Sequence, residues 1–211
     1  LRTPGAAVSE SVAMAGRMGQ AARENICLAT DQLSQYSRER ETQILQNEDK
    51  LDIYEDRLSS YLVEISQHGL SMQDMRTVSR LLHAIGDFER IGDHADNLAG
   101  YTRLLNKRNI SFSPAAQKEI AAMRDICLEC VDYLLTPVAG NVEWLSEVSA
   151  LEQRIDDMTS DYRRSHLERM RSGECSDEAC IIYSELLTDF ERIGDHVLNI
   201  AQEMAQVQEH I

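Results

Sequence analysis

Two identical eight-residue segments carry the acidic side chains that are best placed for chemistry. Residues 87–94 and 189–196 both read DFERIGDH. Each segment contains a glutamate and an aspartate four residues apart, so on a helix the two carboxylates share one face. The pairs are Glu89 with Asp93 and Glu191 with Asp195. Because like charges at this spacing destabilise a helix by roughly 0.2–0.5 kcal/mol, the pattern favours a bound cation that offsets the repulsion.

A further acidic pair precedes each segment, within EDKLD at residues 48–52 and EQRID at residues 152–156. A glycine suited to ending a helix, Gly69 or Gly173, lies between the two pairs of each copy. At about 1.5 Å per residue, both pairs lie roughly 25–35 Å from this turn, so two antiparallel helices would bring four carboxylates to one level. The pattern predicts one all-oxygen metal site per copy. The ligands added by the preceding helices are Glu48, Asp52, Glu152 and Asp156.

The donor type limits the choice of cation. Carboxylate-rich sites suit hard cations such as Mg²⁺, Ca²⁺, Mn²⁺ or oxidised iron. The plain alternative is that the acids are solvated on polar helix faces. Arg90 and Arg192 would then neutralise neighbouring acids in surface ion pairs that contribute little.

The remaining residues of the repeated segment allow several roles. Gly92 and Gly194 lie inside a predicted helix, where the missing Cβ would let a neighbouring helix approach closely. His94 and His196 point about 100° round the helix from the aspartates, so we expect them to cap, to support the ligands indirectly or to face solvent rather than to bind metal. The residues four positions beyond the aspartates are better candidates for indirect support of the ligands. These are Asn97 and Asn199.

The elements that position these acids follow from an internal duplication. AARENICL at residues 21–28 matches AAMRDICL at 121–128, and the two acidic segments follow in the same order. We therefore predict two repeats, residues 1–108 and 109–211. Apolar residues at helical spacing predict an all-α fold of six long helices in two tandem three-helix bundles. The predicted helices run over residues 6–36, 38–68, 71–107, 114–138, 142–172 and 176–209.

Helix-end signals support this division. Ser71 and Ser113, the latter followed by Pro114, are typical of helix starts, and Asn141 is a further candidate cap. Gly69 and Gly173 occupy positions where helices should end.

Composition restricts the possible partners. The chain has 36 acidic and 21 basic residues, for a net charge of −15. This balance disfavours nucleic acid and favours cations or a basic partner surface. It contains no apolar run of the roughly 18 residues that a membrane-spanning helix needs. The five cysteines indicate reduced thiols rather than a disulfide framework, and Cys127 and Cys130 are expected to be buried packing residues rather than metal ligands.

The combined motifs resemble one known family. DFERIGDHADNLA and DFERIGDHVLNIA, each preceded by EDKLD or EQRID, closely resemble the PhoU family of phosphate-uptake regulators, and the resemblance spans both repeats. It implies a PhoU-like fold, regulation without catalysis, and bound iron, zinc, magnesium, calcium or manganese. The family's metal motif corresponds in this chain to Glu48, Asp52, Glu89, Asp93, Glu152, Asp156, Glu191 and Asp195.

Members of this family are either separate regulators or tails fused to transporters. The opening RTPGAAVSESVAMAGRMGQAA, without a methionine before it, and the segment YLVEIS are similar to the fused type. The main expectation is therefore a metal-binding regulatory domain of phosphate uptake, the cytoplasmic tail of a sodium/phosphate cotransporter at the inner face of the cell membrane. The alternative is a free-standing PhoU-type regulator, a protein-interaction module that acts on a phosphate transporter and a sensor kinase. A homodimer is compatible with either.

Two hypotheses outside metal-dependent regulation are also open. The acidic faces could form a pure interaction module whose salt-sensitive binding to a basic surface persists in chelator. A metal-dependent phosphatase is disfavoured, because no general base or nucleophile stands beside the motif.

Overall fold

The computed structural model describes residues 3–136 and 141–208, and within these ranges the chain is entirely helical apart from short connections. The predicted cap Asn141 lies outside the side chains that the structure describes. The six helices are α1 (Pro4–Ser34), α2 (Arg38–Ser66), α3 (Met72–Arg108), α4 (Pro114–Leu135), α5 (Asn141–Arg171) and α6 (Asp177–Gln208). Helices α1 to α3 form one bundle and α4 to α6 form the other, which confirms the predicted fold class.

The helix ends follow the local signals in the sequence. The Ser71 hydroxyl accepts a hydrogen bond from the Asp74 N–H at 3.0 Å, and Ser113 caps α4 in the same way. Gly69 and Gly173 have φ angles of +70° and +72°, in the left-handed region that favours glycine. These turns reverse the chain so that α2 and α3, and likewise α5 and α6, run antiparallel.

Helices α3 and α6 are the central helices of the molecule. Each packs within its own bundle and against the other, and α1 also packs against α4. The contacts join Arg80 near one end of α3 to Glu203 at 3.1 Å, and Arg108 at its other end to Glu178 at 2.9 Å. Because these pairs run in opposite directions along the two helices, α3 and α6 are antiparallel. One hydrophobic core therefore extends through both repeats.

The cysteines differ from the prediction. Cys175, in the loop before α6, forms a disulfide with Cys180 in the first turns of that helix. The expectation of reduced thiols is therefore wrong for this pair, because the α5–α6 turn brings two cysteines together that the sequence separates by five positions. Cys27 is partly exposed and free, and Cys127 and Cys130 are free and fully buried, as predicted for packing residues.

Across residues 3–136 and 141–208, every helix is either too short or too polar to cross a membrane.

Candidate metal centres

Helices α2 and α3 bring acidic side chains together in three successive pairs, which we name the repeat-one cluster. Glu48 contacts Asp96 at one level, and Glu55 contacts Glu89 at another. Asp52 and Asp93 lie between these levels and interact electrostatically with each other and with both outer pairs. The cluster contains the four predicted residues and two that sequence reasoning missed, Glu55 and Asp96.

Three of the repeat-one acids lie in surroundings that disfavour their charged forms. Burial first, and then the neighbouring Glu48, raises the pKa of Asp96 to about 9. Burial and the contact with Glu89 raise the pKa of Glu55 to about 7. The pKa of Asp93 is also raised, although Arg90 and His94 lower it in part. Arg90 therefore offsets only part of the repulsion at Asp93.

Helices α5 and α6 form a corresponding repeat-two cluster with fewer acids. Carboxylate oxygens of Glu152, Asp156 and Asp195 all lie within 4.8 Å of one another. Burial and these two aspartates raise the pKa of Glu152 to about 7, and the nearby Glu191 has a raised pKa for the same reasons. Glu191 is not part of the closest trio. In repeat one, no three acids of the described residues come this close.

The two repeats differ at the outer positions of their clusters. Alignment of the motifs places Thr159 opposite Glu55 and Leu198 opposite Asp96. Thr159 is buried, and its hydroxyl donates a hydrogen bond to the Ile155 carbonyl of its own helix at 2.8 Å. Repeat one therefore gathers six carboxylates and repeat two four. The signal for the two additional acids was their spacing, since each follows a predicted ligand by three residues.

The motif glycines lie close to side chains of the facing helix. A Cβ added at Gly92 would lie 3.0 Å from Leu51 Cδ1, and one added at Gly194 would lie 3.0 Å from Ile155 Cδ1. The close approach predicted for both glycines is confirmed. It brings the facing helices near enough for their carboxylates to interact.

Comparison with known proteins confirms the family that the motif indicates. The PhoU domain family matches this chain twice, over residues 15–102 and 120–204. The chain belongs to the PhoU family. It is 27% identical over 167 residues to "Phosphate-specific transport system accessory protein PhoU homolog 1" of Thermotoga maritima, covering 78% of this chain and 71% of the relative. A PhoU homolog of Xylella fastidiosa strain 9a5c, also named an accessory protein of the phosphate-specific transport system, is 26% identical over 188 residues, covering 88% and 78% respectively.

Solved PhoU structures share the fold. PhoU from Pseudomonas aeruginosa superposes with a TM-score of 0.88 at 20% identity, covering 98% of this chain and 99% of that one. The phosphate transport system regulatory protein PhoU from Streptococcus pneumoniae gives 0.85 at 16% identity, covering 98% and 97%. At these identities the likeness supports the six-helix architecture alone.

The outer residues of the PhoU motif join the two repeats instead of lining the clusters. His94 Nδ1 lies 2.8 Å from Asp189, and His196 Nδ1 lies 2.9 Å from Asp87. The two imidazole rings stack with centroids 5.5 Å apart. Positions one and eight of the motif share a helix face, which lies roughly 130° round the helix from the face of positions three and seven. The repeated segment therefore serves two surfaces of each helix.

Asn97 belongs to the same junction. Its amide donates to Asp189 at 3.1 Å, so its predicted role beside the acidic ligands is wrong. Sequence reasoning missed this junction because each partner lies in the other repeat. The available signal was the spacing of Asp87 and His94, which are seven residues apart on one face.

Proposed function

We propose that this protein is a PhoU-type regulator of phosphate transport whose two acidic clusters bind metal cations. The observation that carries the proposal is that the predicted carboxylates of the two facing helices come together in each repeat, over adjacent levels of the helix pair. Like-charged groups held together in this way repel each other, and a cation between them removes that repulsion. The regulatory role and the link to phosphate transport in this proposal are inferred from the family membership and from the names of the relatives.

The residues present fit a hard cation. All donors are carboxylates, which favours iron, magnesium, manganese or calcium over softer ions. One oxygen of Asp96, Oδ1, is buried without a hydrogen-bond partner, which is a costly arrangement for an acid. A bound cation would offset the negative charge of these oxygens. The ligands in this proposal are the eight predicted residues together with Glu55 and Asp96.

The comparisons favour a separate regulator over a transporter tail. The relatives from Thermotoga and Xylella are named as accessory proteins of a phosphate-specific transport system. We therefore take the separate regulator, bound to a phosphate transporter, as the better proposal. Fusion to a sodium/phosphate cotransporter, a homodimer, contact with a sensor kinase and a cytoplasmic position at the membrane stay predictions.

Elemental analysis of the purified protein tests the metal sites. Asp52→Asn with Asp93→Asn removes the central charges of repeat one, and Asp156→Asn with Asp195→Asn does the same in repeat two. We expect each double variant to lose the metal of its own repeat, and the fourfold variant to lose both. Asp49→Asn is the matched control, since Asp49 is an exposed aspartate of α2 that faces the groove between α1 and α2.

Uptake measurements test the regulatory role. In a bacterial strain that lacks its own PhoU, we expect the wild-type protein to lower the uptake of radioactive phosphate. The fourfold variant should fail to do so, and the Asp49→Asn control should act like wild type. If wild type leaves uptake unchanged, the regulatory proposal fails. If the fourfold variant keeps its full metal content, the assignment of the sites fails instead.

A further inference from the structure

The α5–α6 hairpin of repeat two contains a second group of metal-ligating side chains, remote from the acidic clusters in sequence and different in chemistry. His166 comes from α5, Cys175 from the loop and Cys180 from the first turns of α6. A histidine nitrogen and the two sulfurs all lie within 4.8 Å of one another. We name these three residues the hairpin triad.

The histidine of the triad is held in a form that can bind a metal ion. His166 is buried, and burial followed by the neighbouring Arg169 lowers its pKa, so the imidazole is neutral near pH 7. One ring nitrogen bonds to the backbone of Cys180. A ring that donates from one nitrogen presents the lone pair of the other, which is the usual arrangement of a metal-binding histidine.

The ring is also held in place by its surroundings. It packs against Tyr183, with ring centroids 4.6 Å apart. The Tyr183 hydroxyl donates to Glu119 at 3.0 Å, and Arg169 pairs with the same carboxylate at 2.5 Å. These contacts fix the Tyr183 ring that packs against His166. The hairpin of the first repeat, residues 67–75, contains no cysteine, so the arrangement belongs to repeat two alone.

We propose that, when the Cys175–Cys180 disulfide is reduced, the hairpin triad binds a soft divalent cation, for which Zn²⁺ is the best match. Two sulfurs and one imidazole are ligands that zinc prefers, and water completes a tetrahedral site with three protein ligands. In such a site two thiolates about 2.3 Å from the ion are about 3.8 Å apart. Metal binding therefore requires the two bonded sulfurs to move apart, and little other movement of the triad atoms.

Disulfide and metal exclude each other, so the oxidation state of the hairpin decides which is present. A dithiol reductant attacks the sulfur of Cys175, which is partly exposed, and the bond to buried Cys180 breaks. The second thiol of the reductant releases Cys175, so the two electrons end on the two cysteines and the reductant becomes the disulfide. The cation then displaces one proton from each thiol.

Cobalt binding to the full chain tests this proposal, because Co²⁺ replaces Zn²⁺ and gives a sulfur-to-cobalt charge-transfer band, the thiolate band, only when thiolates bind it. The protein is reduced with a phosphine, which adds no competing thiol, and excess Mg²⁺ is present to fill the acidic clusters. We expect one equivalent of Co²⁺ to produce the thiolate band, and Zn²⁺ to abolish it. The untreated, disulfide-bonded protein should give no band.

Three variants identify the ligands. His166→Gln keeps both cysteines and should weaken cobalt binding at least about tenfold, the effect that even supporting residues produce. Cys175→Ser, which changes one partly exposed sulfur, should abolish the band. Cys27→Ser is the matched control, because Cys27 is a partly exposed free thiol of the other repeat, and it should leave binding unchanged. Circular dichroism checks that each variant is folded.

Each contrary result overturns the proposal. The proposal fails if the reduced wild-type protein gives no thiolate band, if Cys175→Ser keeps the band, or if His166→Gln binds cobalt as tightly as the wild-type protein. A band in the disulfide-bonded protein would assign the signal to other cysteines. The proposal is independent of metal at the acidic clusters, since carboxylate ligands produce no thiolate band.

Discussion

The protonation of Asp96 depends strongly on the neighbours of its carboxyl group in the folded protein. Its carboxyl group is partly buried against Glu48, and one of its oxygens lacks a hydrogen-bond partner. In the unfolded chain the same group would titrate near its ordinary value of about 4. Without a cation, the folded protein therefore holds protons on Asp96, Glu55 and Glu152 that the unfolded chain releases at a lower pH.

This difference predicts how pH affects the stability of the cation-free protein. The pKa values of about 9 for Asp96, and about 7 for Glu55 and Glu152, exceed those of the unfolded state. Between pH 5 and 9 the folded state therefore binds more protons than the unfolded state, so the free energy of unfolding should fall as the pH rises. Urea denaturation in chelator at a series of pH values measures this slope.

Two variants and one addition control that experiment. Asp96→Asn cannot ionise, so it should reduce the slope and raise stability at pH 8. Asp161→Asn changes an exposed aspartate at 67% side-chain exposure and should leave the slope unchanged. A divalent cation should restore stability at high pH. A free energy of unfolding that is constant or rises with pH in chelator would contradict the pKa values.

At the scale of elements, the contacts between the repeats are reciprocal. Histidine and aspartate pair twice between α3 and α6, and arginine and aspartate pair twice between α1 and α4. The α1–α4 pairs are Arg23 with Asp132 and Arg124 with Asp31. Each residue type appears once on either side, as it does at the interface of a two-fold symmetric dimer. Duplication of one sequence therefore supplied both halves of the α3–α6 contact, whereas Arg23 and Arg124 do not occupy matched positions of the aligned segments 21–28 and 121–128.

The junction predicts unequal costs for two equivalent substitutions. Asp189 is buried and meets His94, Asn97 and Tyr101, whereas Asp87 pairs with His196. Asp189→Asn should lower the free energy of unfolding by about 1.5–3 kcal/mol, and Asp87→Asn by less, because buried donors lose a charged acceptor. Urea denaturation measures both. Asp125→Asn, on the exposed side of α4, is the control; equal losses in all three would contradict the account.

Packing of α1 against α3 and α4 predicts opposite effects of alanine at two neighbouring glycines. A Cβ at Gly16 would meet nothing within 4 Å, so Gly16→Ala should stabilise by about 1 kcal/mol through helix propensity. A Cβ at Gly19 would lie 2.5 Å from Leu135 and 2.8 Å from Phe88. Gly19→Ala should therefore destabilise by about 1–3 kcal/mol. Thermal unfolding of the two variants compares them, and a more stable Gly19→Ala would show that the helices separate at little cost.

The whole molecule contains two similar bundles with unequal acidic clusters. Six carboxylates meet in repeat one and four in repeat two, although both copies keep the same eight-residue segment. More carboxylates hold more positive charge, so the proposed sites should differ in affinity or in the number of ions bound. The duplication preserved the helices and their central acids, and the two clusters have diverged at their outer positions.

Exchange of those outer positions tests the difference. Glu55→Thr with Asp96→Leu gives repeat one the residues that repeat two has at Thr159 and Leu198. We expect calorimetric titration of the wild-type protein with Mn²⁺ to show two classes of site, and the double variant to approach one class. Glu64→Gln with Asp161→Asn removes the same charge from exposed positions and should keep two classes. An isotherm that the exchange leaves unchanged would place the difference elsewhere.

Much of this protein could be predicted from its sequence because the governing interactions are local. Helical periodicity, the caps at Ser71 and Ser113 and the turn glycines depend on residues a few positions apart. The central acids could be paired across α2 and α3 because one tight turn joins two regular helices, which fixes their levels. The repeat made the prediction stronger, since two copies showed the same pattern.

The tertiary structure alone decided which residues meet across longer separations. Pairing of His94 with Asp189, entry of Asp96 into the repeat-one cluster and closure of the hairpin triad all depend on the rotation and spacing of packed helices. A helical periodicity defines faces but not the neighbour that each face meets, since that choice depends on how side chains of distant segments fill a shared core. The sequence by itself therefore determined six helices, two repeats and their central carboxylates. Packing decided that one motif would serve both an acidic cluster and the junction between the repeats.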